Sequence, residues 1–167
     1  MAKIVLKLGD DISTDVIYPG RYMATVLPSE TPQFAFADMT QFNAKLKAKE
    51  IPAGSIVGAG KNFGCGSSRE QAASALCGHG LTIIAEDFAR IFLQNSINLG
   101  LHLVICTGFA ASEGEEIELA KETVVNKSSG VSFPIVQLPR ARQAIIDAGG
   151  LIPYTRRRLL ASTHRAP

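Results

Sequence analysis

Near the middle of the chain the sequence reads Lys61-Asn62-Phe63-Gly64-Cys65-Gly66-Ser67-Ser68-Arg69-Glu70-Gln71. An apolar run at residues 55–59 precedes this stretch and predicts a buried strand, and an alanine-rich run follows it and predicts a helix over residues 68–77. The glycines free the backbone between the two elements. Serines and an arginine stand where the helix is expected to begin, and the unpaired N–H groups of a helix N-terminus attract anions. The stretch therefore predicts a strand–loop–helix unit with a small-anion site.

The segments on either side extend this unit into an α/β fold. We predict strands at residues 4–8, 81–85 and 101–106 and a helix at 88–98, so strands and helices alternate and parallel pairing is expected. Further helices are predicted at 36–48 and 139–148, further strands at 116–125 and 131–138, an extended segment at 16–18 and a long loop at 21–32.

Composition indicates one soluble domain that spans residues 1–167. Hydrophobic residues make up 46% of the chain, charged residues 19%, and the net charge is only +2, which does not favour nucleic-acid binding. The basic residues near the end of the chain predict a solvated tail or a subunit-contact edge over about 156–167. No apolar run is long enough for a membrane span or a signal peptide, so we expect a cytoplasmic protein. The irregularly spaced Cys65, Cys77 and Cys106 predict reduced thiols rather than disulfides or a metal site.

The serines of the central stretch have two interpretations. Ser67 and Ser68 each precede a Glu or Gln by three residues, which is the spacing of a capping box, so they are explained equally well as helix caps. Capping does not account for Arg69, because a positive charge in the first turn opposes the helix dipole. A partner for Arg69 is therefore expected, either a carboxylate or a phosphate.

Spacing excludes the common nucleotide motifs. A P-loop that ends at Lys61 would need glycine at position 55 and Ser or Thr at position 62, and neither is present; dinucleotide fingerprints that start at Gly58 or Gly64 lack the third glycine. The three histidines show no arrangement typical of a catalytic triad. A serine stabilised by N–H groups and a guanidinium suits proton abstraction next to a carboxylate better than acyl transfer.

Four blocks of the sequence resemble the swivelling domain of the aconitase superfamily, and more closely the separate small subunits of 3-isopropylmalate dehydratase and homoaconitase. The blocks are residues 62–70, 11–19, 84–100 and 149–151. The resemblance implies a three-layer β/β/α swivelling domain and a hydro-lyase activity. It also implies site residues: Ser67 as catalytic base and Asp15 as an acidic active-site residue, with substrate contacts from Arg69, Ser68, Gly66, Thr14 and Arg21. A loop or capping role for Asp15 and a surface role for Arg21 remain open.

The resemblance also implies a partner. In this family a [4Fe–4S] cluster acts as a Lewis acid and is held by three cysteines of the large subunit or domain. No cysteine spacing here supports a cluster, so we expect this chain to bind no metal. It is expected to act with a cluster-bearing large subunit, as a heterodimer or heterotetramer, on a small hydroxy-dicarboxylic acid.

Two departures from the family bear on specificity. Gln71 stands where histidine is common. In the substrate-selecting segment, formed by Tyr22, Met23, Ala24 and Thr25, homoaconitase-like members tend to carry an arginine, and this chain has none there. An unpaired carboxylate is costly to bury whereas an alkyl group gains from burial, so 2-isopropylmalate is expected as substrate. Homoaconitate, dimethylmalate or another alkylmalate, and a non-catalytic carboxylate-binding subunit, stay as alternatives.

Overall fold

The computed structural model describes residues 1–163. Within this range the strands are β1 (Ala2–Lys7), β2 (Ile56–Gly58), β3 (Thr82–Ala85), β4 (His102–Ile105), β5 (Glu116–Leu119), β6 (Thr123–Asn126) and β7 (Ser132–Pro134). The α-helices are α1 (Thr14–Ile17), α2 (Thr40–Lys47), α3 (Glu70–Gly78), α4 (Arg90–Leu99), α5 (Arg140–Asp147) and α6 (Leu151–Thr163). Short 3₁₀ helices lie at Gly20–Tyr22 and Thr31–Phe34.

The strands form one sheet in the order β4-β3-β2-β1-β5-β6-β7. Strands β1 to β4 pair in parallel, and β5 to β7 add antiparallel strands at the other side of β1. The helices α3 and α4 connect β2 to β3 and β3 to β4, which is the crossover arrangement that parallel neighbours require. The predicted parallel pairing of the central strands is confirmed.

Two apolar cores lie on opposite faces of the parallel strands. Neighbouring residues in a strand point to opposite faces: Val57 and Ile83 pack with α3 and α4, whereas Ile56 and Ile84 pack with the antiparallel strands. The antiparallel half therefore curls over one face of the parallel half while helices cover the other. The expected α/β fold with two β layers and a helical layer is confirmed.

Three predicted segments differ in the structure. Residues 16–18 were expected to be extended, but Thr14–Ile17 is helical because the Ser13 hydroxyl caps the turn by accepting a hydrogen bond from Val16 N. The strand predicted over 116–125 is two antiparallel strands, β5 and β6, separated by a turn. Residues 21–32, expected as a loop, include short 3₁₀ turns at both ends.

The basic segment after residue 155 is exposed over residues 156–162, and it forms a helix that the sequence did not predict. Residues 156–163 belong to α6, which packs against α4 and α5, and the remainder of the predicted tail lies outside the described residues. An unbroken run of helix formers explains the difference, because charge alone does not prevent a helix that has neighbours to pack with. In the part of the chain that the structure describes, no helix has the length and apolarity needed to cross a membrane.

Candidate functional site

Three loops meet at the carboxyl ends of β1, β2 and β3. The loop after β2 pairs with the loop after β1 through Gly64 N to Ile12 O (2.7 Å) and Thr14 N to Cys65 O (2.8 Å). It also contacts the loop after β3, where Ala89 N donates to the carbonyl of Phe63 (2.9 Å). The carboxyl edge of parallel strands is where α/β proteins place their sites. The central sequence stretch lies in the middle of this junction.

Gly64 allows the loop after β2 to approach helix α4 closely. Its φ is +83°, and a Cβ at this position would lie 2.2 Å from Cγ of Phe92 in α4. Any other residue would both strain the backbone and collide with the aromatic ring. The loop after β2 is thereby packed directly onto α4 before it turns towards Ser67.

Ser67 and Ser68 are exposed at the end of this loop. The carbonyl of Ser67 accepts a hydrogen bond from the buried Thr14 hydroxyl (2.9 Å), so the residue's backbone is fixed while its side chain faces solvent. The capping interpretation is wrong: α3 begins at Glu70, its N-cap is Arg69, and no side chain caps it. The exposed hydroxyls are therefore available to a ligand.

Arg69 binds the protein's own Asp15. Nη2 donates to Oδ2 of Asp15 (2.9 Å) and Nη1 to its Oδ1, while Nη1 also donates to the carbonyl of Tyr18 (3.1 Å). The Arg69 side chain is 9% exposed and that of Asp15 60%. The hydrogen bonds from Arg69 hold the pKa of Asp15 below its usual value, and the amide of Gly20 adds to this effect. The partner expected for Arg69 is therefore a carboxylate, and it comes from the loop after β1.

The Nε donor of Arg69 is unused. Nε is buried and has no hydrogen-bond partner in the described residues, which is costly for a charged group. Gly20 leaves room for the guanidinium, because a Cβ there would lie 3.2 Å from Nη2. The guanidinium is thus enclosed by the loop after β1 and is shielded from solvent on most sides.

Arg21 pairs with Asp38 at the surface. Its guanidinium makes two hydrogen bonds to Asp38 and lies 4.7 Å from the ring centroid of Tyr22. The same contact lowers the pKa of Asp38 and raises that of Arg21. Both members of the pair are more than half exposed. In this structure Arg21 therefore fixes the surface of the segment rather than reaching towards Ser67.

The predicted specificity segment, Tyr22 to Thr25, is anchored at its first residue. The ring of Tyr22 stacks on Phe34 with centroids 4.1 Å apart, and its carbonyl accepts a hydrogen bond from the Tyr18 hydroxyl (3.2 Å). Gln71 of α3 donates to the carbonyl of Met23 (3.3 Å). Met23 and Ala24 are exposed and Thr25 is partly buried. The segment thus presents an uncharged surface that is tied to the helix carrying Gln71.

The three thiols do not fit an iron–sulfur cluster. Cys106 is buried in the core between the parallel and the antiparallel strands, where burial raises its pKa to about 11. Cys77 lies at the end of α3, its thiol donates to the carbonyl of Leu99, and burial raises its pKa. Cys65 alone lies in the loop near Ser67. In residues 1–163 no group of three or more His, Cys, Asp or Glu side chains is placed to hold a metal ion.

A cavity lies away from the loop junction. It measures about 640 Å³ and is lined by residues at the amino ends of β1 and β2, including Met1, Ala2 and Ser55, together with residues of β5. This is the edge of the sheet opposite to Ser67 and Arg69. This cavity therefore does not contain Ser67 or Arg69. The function is better inferred from the chemistry of those side chains than from the position of the cavity.

The structure brings together most of the predicted site. Asp15, Thr14, Gly66, Ser67, Ser68 and Arg69 meet at the loop junction, whereas Arg21 and residues 22–25 form the neighbouring segment. Sequence reasoning missed Tyr18 and Asp38, which bind the two arginines, and Asn62, which joins two loops. For Asn62 the available sequence signal was an asparagine just ahead of a glycine-rich stretch, because asparagine is one of the residues that adopt a positive φ, as Asn62 does here.

Comparison with known proteins supports a family. The Aconitase C-terminal domain model matches residues 12–105. A protein of Methanocaldococcus jannaschii named isopropylmalate/citramalate isomerase small subunit is 42% identical over 163 residues, which cover 95% of each chain. A 3-isopropylmalate dehydratase small subunit of Archaeoglobus fulgidus is 41% identical over 155 residues, with 90% of this chain and 93% of the relative covered.

A solved structure agrees with these relatives. The crystal structure of a 3-isopropylmalate dehydratase from Methanocaldococcus jannaschii superposes with a TM-score of 0.87 at 34% identity, and 98% of each chain is covered. The likeness extends over all the elements described above, including the antiparallel strands and the C-terminal helices that lie outside the residues matched by the family model.

Proposed function

Because this chain belongs to the Aconitase C-terminal domain family, we propose that it is the small subunit of a hydro-lyase that converts 2-isopropylmalate into 3-isopropylmalate. Several relatives are named small subunits of 3-isopropylmalate dehydratase. The activity requires a large subunit, with which this chain forms a heterodimer or heterotetramer. The free thiols suit a reducing compartment, which supports a cytoplasmic location.

One observation carries the assignment of the base. Ser67 is exposed at the meeting point of three loops, its backbone is fixed through Thr14, and the buried guanidinium of Arg69, paired with Asp15, stands two residues further along the chain. A hydroxyl in that position is accessible to a substrate while its surroundings are rigid. Preorganised N–H groups at the start of α3 favour the negatively charged alkoxide of Ser67, which is the form that accepts a proton.

Ser67 moves one proton in each direction. In dehydration its oxygen takes a proton from the carbon next to one substrate carboxylate, and this proton and the substrate hydroxyl make up the water that is lost. In rehydration a water molecule is divided: its proton passes through Ser67 to the neighbouring carbon, and its hydroxide adds to the carbon that was first deprotonated. The hydroxyl group is thereby moved by one carbon and no atom is gained or lost overall.

Substrate carboxylates bind beside the base. Ser68 and the amide at Gly66 are exposed, and Arg69 becomes a ligand when a substrate carboxylate exchanges with Asp15. Such an exchange replaces one bidentate carboxylate contact by another, so it preserves the charge balance of the buried guanidinium. Asp15, once released, remains within the site as an acidic group. Arg21 contributes a second contact only when its pair with Asp38 opens.

The iron–sulfur cluster belongs to the large subunit in this proposal. The separation of Cys65, Cys77 and Cys106 into different regions supports this assignment. For the substrate, the uncharged surface at Met23 and Ala24 supports an alkyl group rather than a distal carboxylate. The name of the 42% identical relative also supports citramalate as a second substrate, which carries a methyl group in place of isopropyl.

The test is a serine replacement in the reconstituted complex. Ser67→Ala is assembled with the cluster-loaded large subunit and assayed with 2-isopropylmalate, beside Ser129→Ala in the exposed turn between β6 and β7 as a matched control. We expect kcat to fall about 10²- to 10⁴-fold for Ser67→Ala, with no change for the control and unchanged assembly by size-exclusion chromatography. Unchanged turnover of Ser67→Ala would support a non-catalytic binding subunit instead.

A further inference from the structure

Asn62 lies in one of the three loops of the site, five residues before Ser67, and forms hydrogen bonds to the other two loops. Its side-chain Nδ2 donates to Oδ1 of Asp11 (2.7 Å) in the loop after β1. Its backbone N–H donates to Oδ1 of Asp87 (2.6 Å) in the loop after β3. Asn62 itself lies in the loop after β2. A single residue therefore connects the carboxyl ends of three adjacent parallel strands.

We propose that Asn62 is a positioning residue, which sets the loop carrying Ser67 in register with the loop carrying Asp15. The proposal rests on the proposed function, because it assigns Asn62 to the geometry of that same site. Asn62 acts through the loops and has no contact with substrate in this assignment.

The backbone at Asn62 explains why an asparagine suits this position. Its φ is +57°, and Asp11, which accepts its side-chain hydrogen bond, has a φ of +54°. Asparagine and aspartate tolerate this left-handed region better than other residues with side chains. An amide is the better of the two at position 62, because its N–H₂ group donates to Asp11, whereas a carboxylate would face the carboxylates of Asp11 and Asp87.

Hydrogen bonds transmit this position to the reacting groups. Asp11 N donates to Lys61 O (2.9 Å), and beyond Asn62 the same two loops are joined by the amides of Gly64 and Thr14. The Thr14 hydroxyl then holds the carbonyl of Ser67. Next to it, Oδ1 of Asp10 accepts a hydrogen bond from Lys61 N (2.8 Å). The bond from Asn62 to Asp11 joins the side chains of the two loops, so its loss weakens the register between them.

The test separates the amide from the backbone conformation. Asn62→Gly keeps the positive φ and removes the donor. Lys49→Gly is the matched control, because Lys49 has the same φ of +57° and lies exposed after α2. In the complex with the large subunit we expect Asn62→Gly to lower kcat about tenfold to a hundredfold and to change KM less than about threefold. Lys49→Gly is expected to leave both kcat and KM unchanged.

A second measurement is independent of catalysis. Hydrogen exchange of the full chain, followed by mass spectrometry, reports on peptides that contain Thr14 and Gly64. We expect faster exchange there in Asn62→Gly and not in Lys49→Gly. Wild-type exchange and wild-type kcat in Asn62→Gly would overturn the proposal. If the wild-type complex is inactive but exchange is faster in Asn62→Gly, the proposed function is refuted. The role of Asn62 in holding the loops in register is then still supported.

Discussion

Arg69 and Asp15 are 54 residues apart in sequence and form a bidentate ion pair whose basic member is buried and whose acidic member is exposed. The pair joins the helix after β2 to the loop after β1. It also decides how a substrate carboxylate reaches the guanidinium, since the internal carboxylate occupies that position. The stability of the site and its binding chemistry therefore depend on the same contact.

The charge of Asp15 is expected to stabilise the folded protein above acidic pH. Because Arg69 lowers the pKa of Asp15 in the folded state, the stabilisation is present above the unfolded pKa of about 4 and is lost as the pH falls through the lowered value. Asp15→Asn is therefore expected to lower the melting temperature at pH 7 and to approach wild type in acid.

Asp38→Asn is the control for this measurement. It breaks a similar pair with Arg21, but both partners are exposed, so solvent screens the loss. Thermal unfolding of the three proteins across pH provides the comparison. Equal melting temperatures of Asp15→Asn and wild type at pH 7 would contradict a stabilising role for the buried pair.

Gly64 is expected to be sensitive to a single added methyl group. Gly64→Ala introduces a Cβ that meets Phe92 and also strains a positive φ, whereas Gly130→Ala strains a similar φ of +77° with no atom within 4 Å. We expect the free energy of unfolding to fall by about 1 kcal/mol for Gly130→Ala and by a further ~1–3 kcal/mol for Gly64→Ala. Chemical denaturation measures both, and equal losses would show that α4 yields to the methyl group.

Met23 is expected to determine the preference for an alkyl substituent. Met23→Arg places a cation on the uncharged surface, so kcat/KM for 2-isopropylmalate should fall about tenfold to a hundredfold, and that for an analogue with a distal carboxylate should rise. Val26→Arg adds the same charge at a position that is 69% exposed and outside the segment. If both variants behave alike, the effect arises from charge in general and not from position 23.

Gln71 is expected to orient the specificity segment. Gln71→Met removes the hydrogen bond to the carbonyl of Met23, and the loss of about 1 kcal/mol corresponds to roughly a fivefold rise in KM for 2-isopropylmalate. Gln71→His restores a donor and should restore KM. Gln94→Met is the control, because Gln94 bonds only within α4 at the surface. A KM that is unchanged in Gln71→Met would rule out this role.

Local patterns were sufficient for the elements that form the centre of the fold. The apolar runs that became β2 and β3 are buried on both faces. Glycines were expected at the ends of helices, and Gly100 ends α4 in this way. Residues 16 and 17 were misassigned because a helix of four residues, Thr14–Ile17, gives too little periodicity, whereas Tyr18 is extended as predicted. Helix α6 was not predicted, because the contacts with α4 and α5 that support it cannot be inferred from the composition of an exposed basic segment.

The sequence alone determined which chemical groups this protein has and their order along the chain: the exposed serines, the arginine that follows them and the acidic loop near the amino terminus. Only the tertiary structure decided that Arg69 is neutralised by Asp15, that Arg21 pairs with Asp38, and that Asn62 connects three loops. The physical reason is distance in the chain. Local propensities act over a few residues, whereas these contacts join residues 17 to 54 positions apart and exist only after the parallel strands have aligned their carboxyl ends.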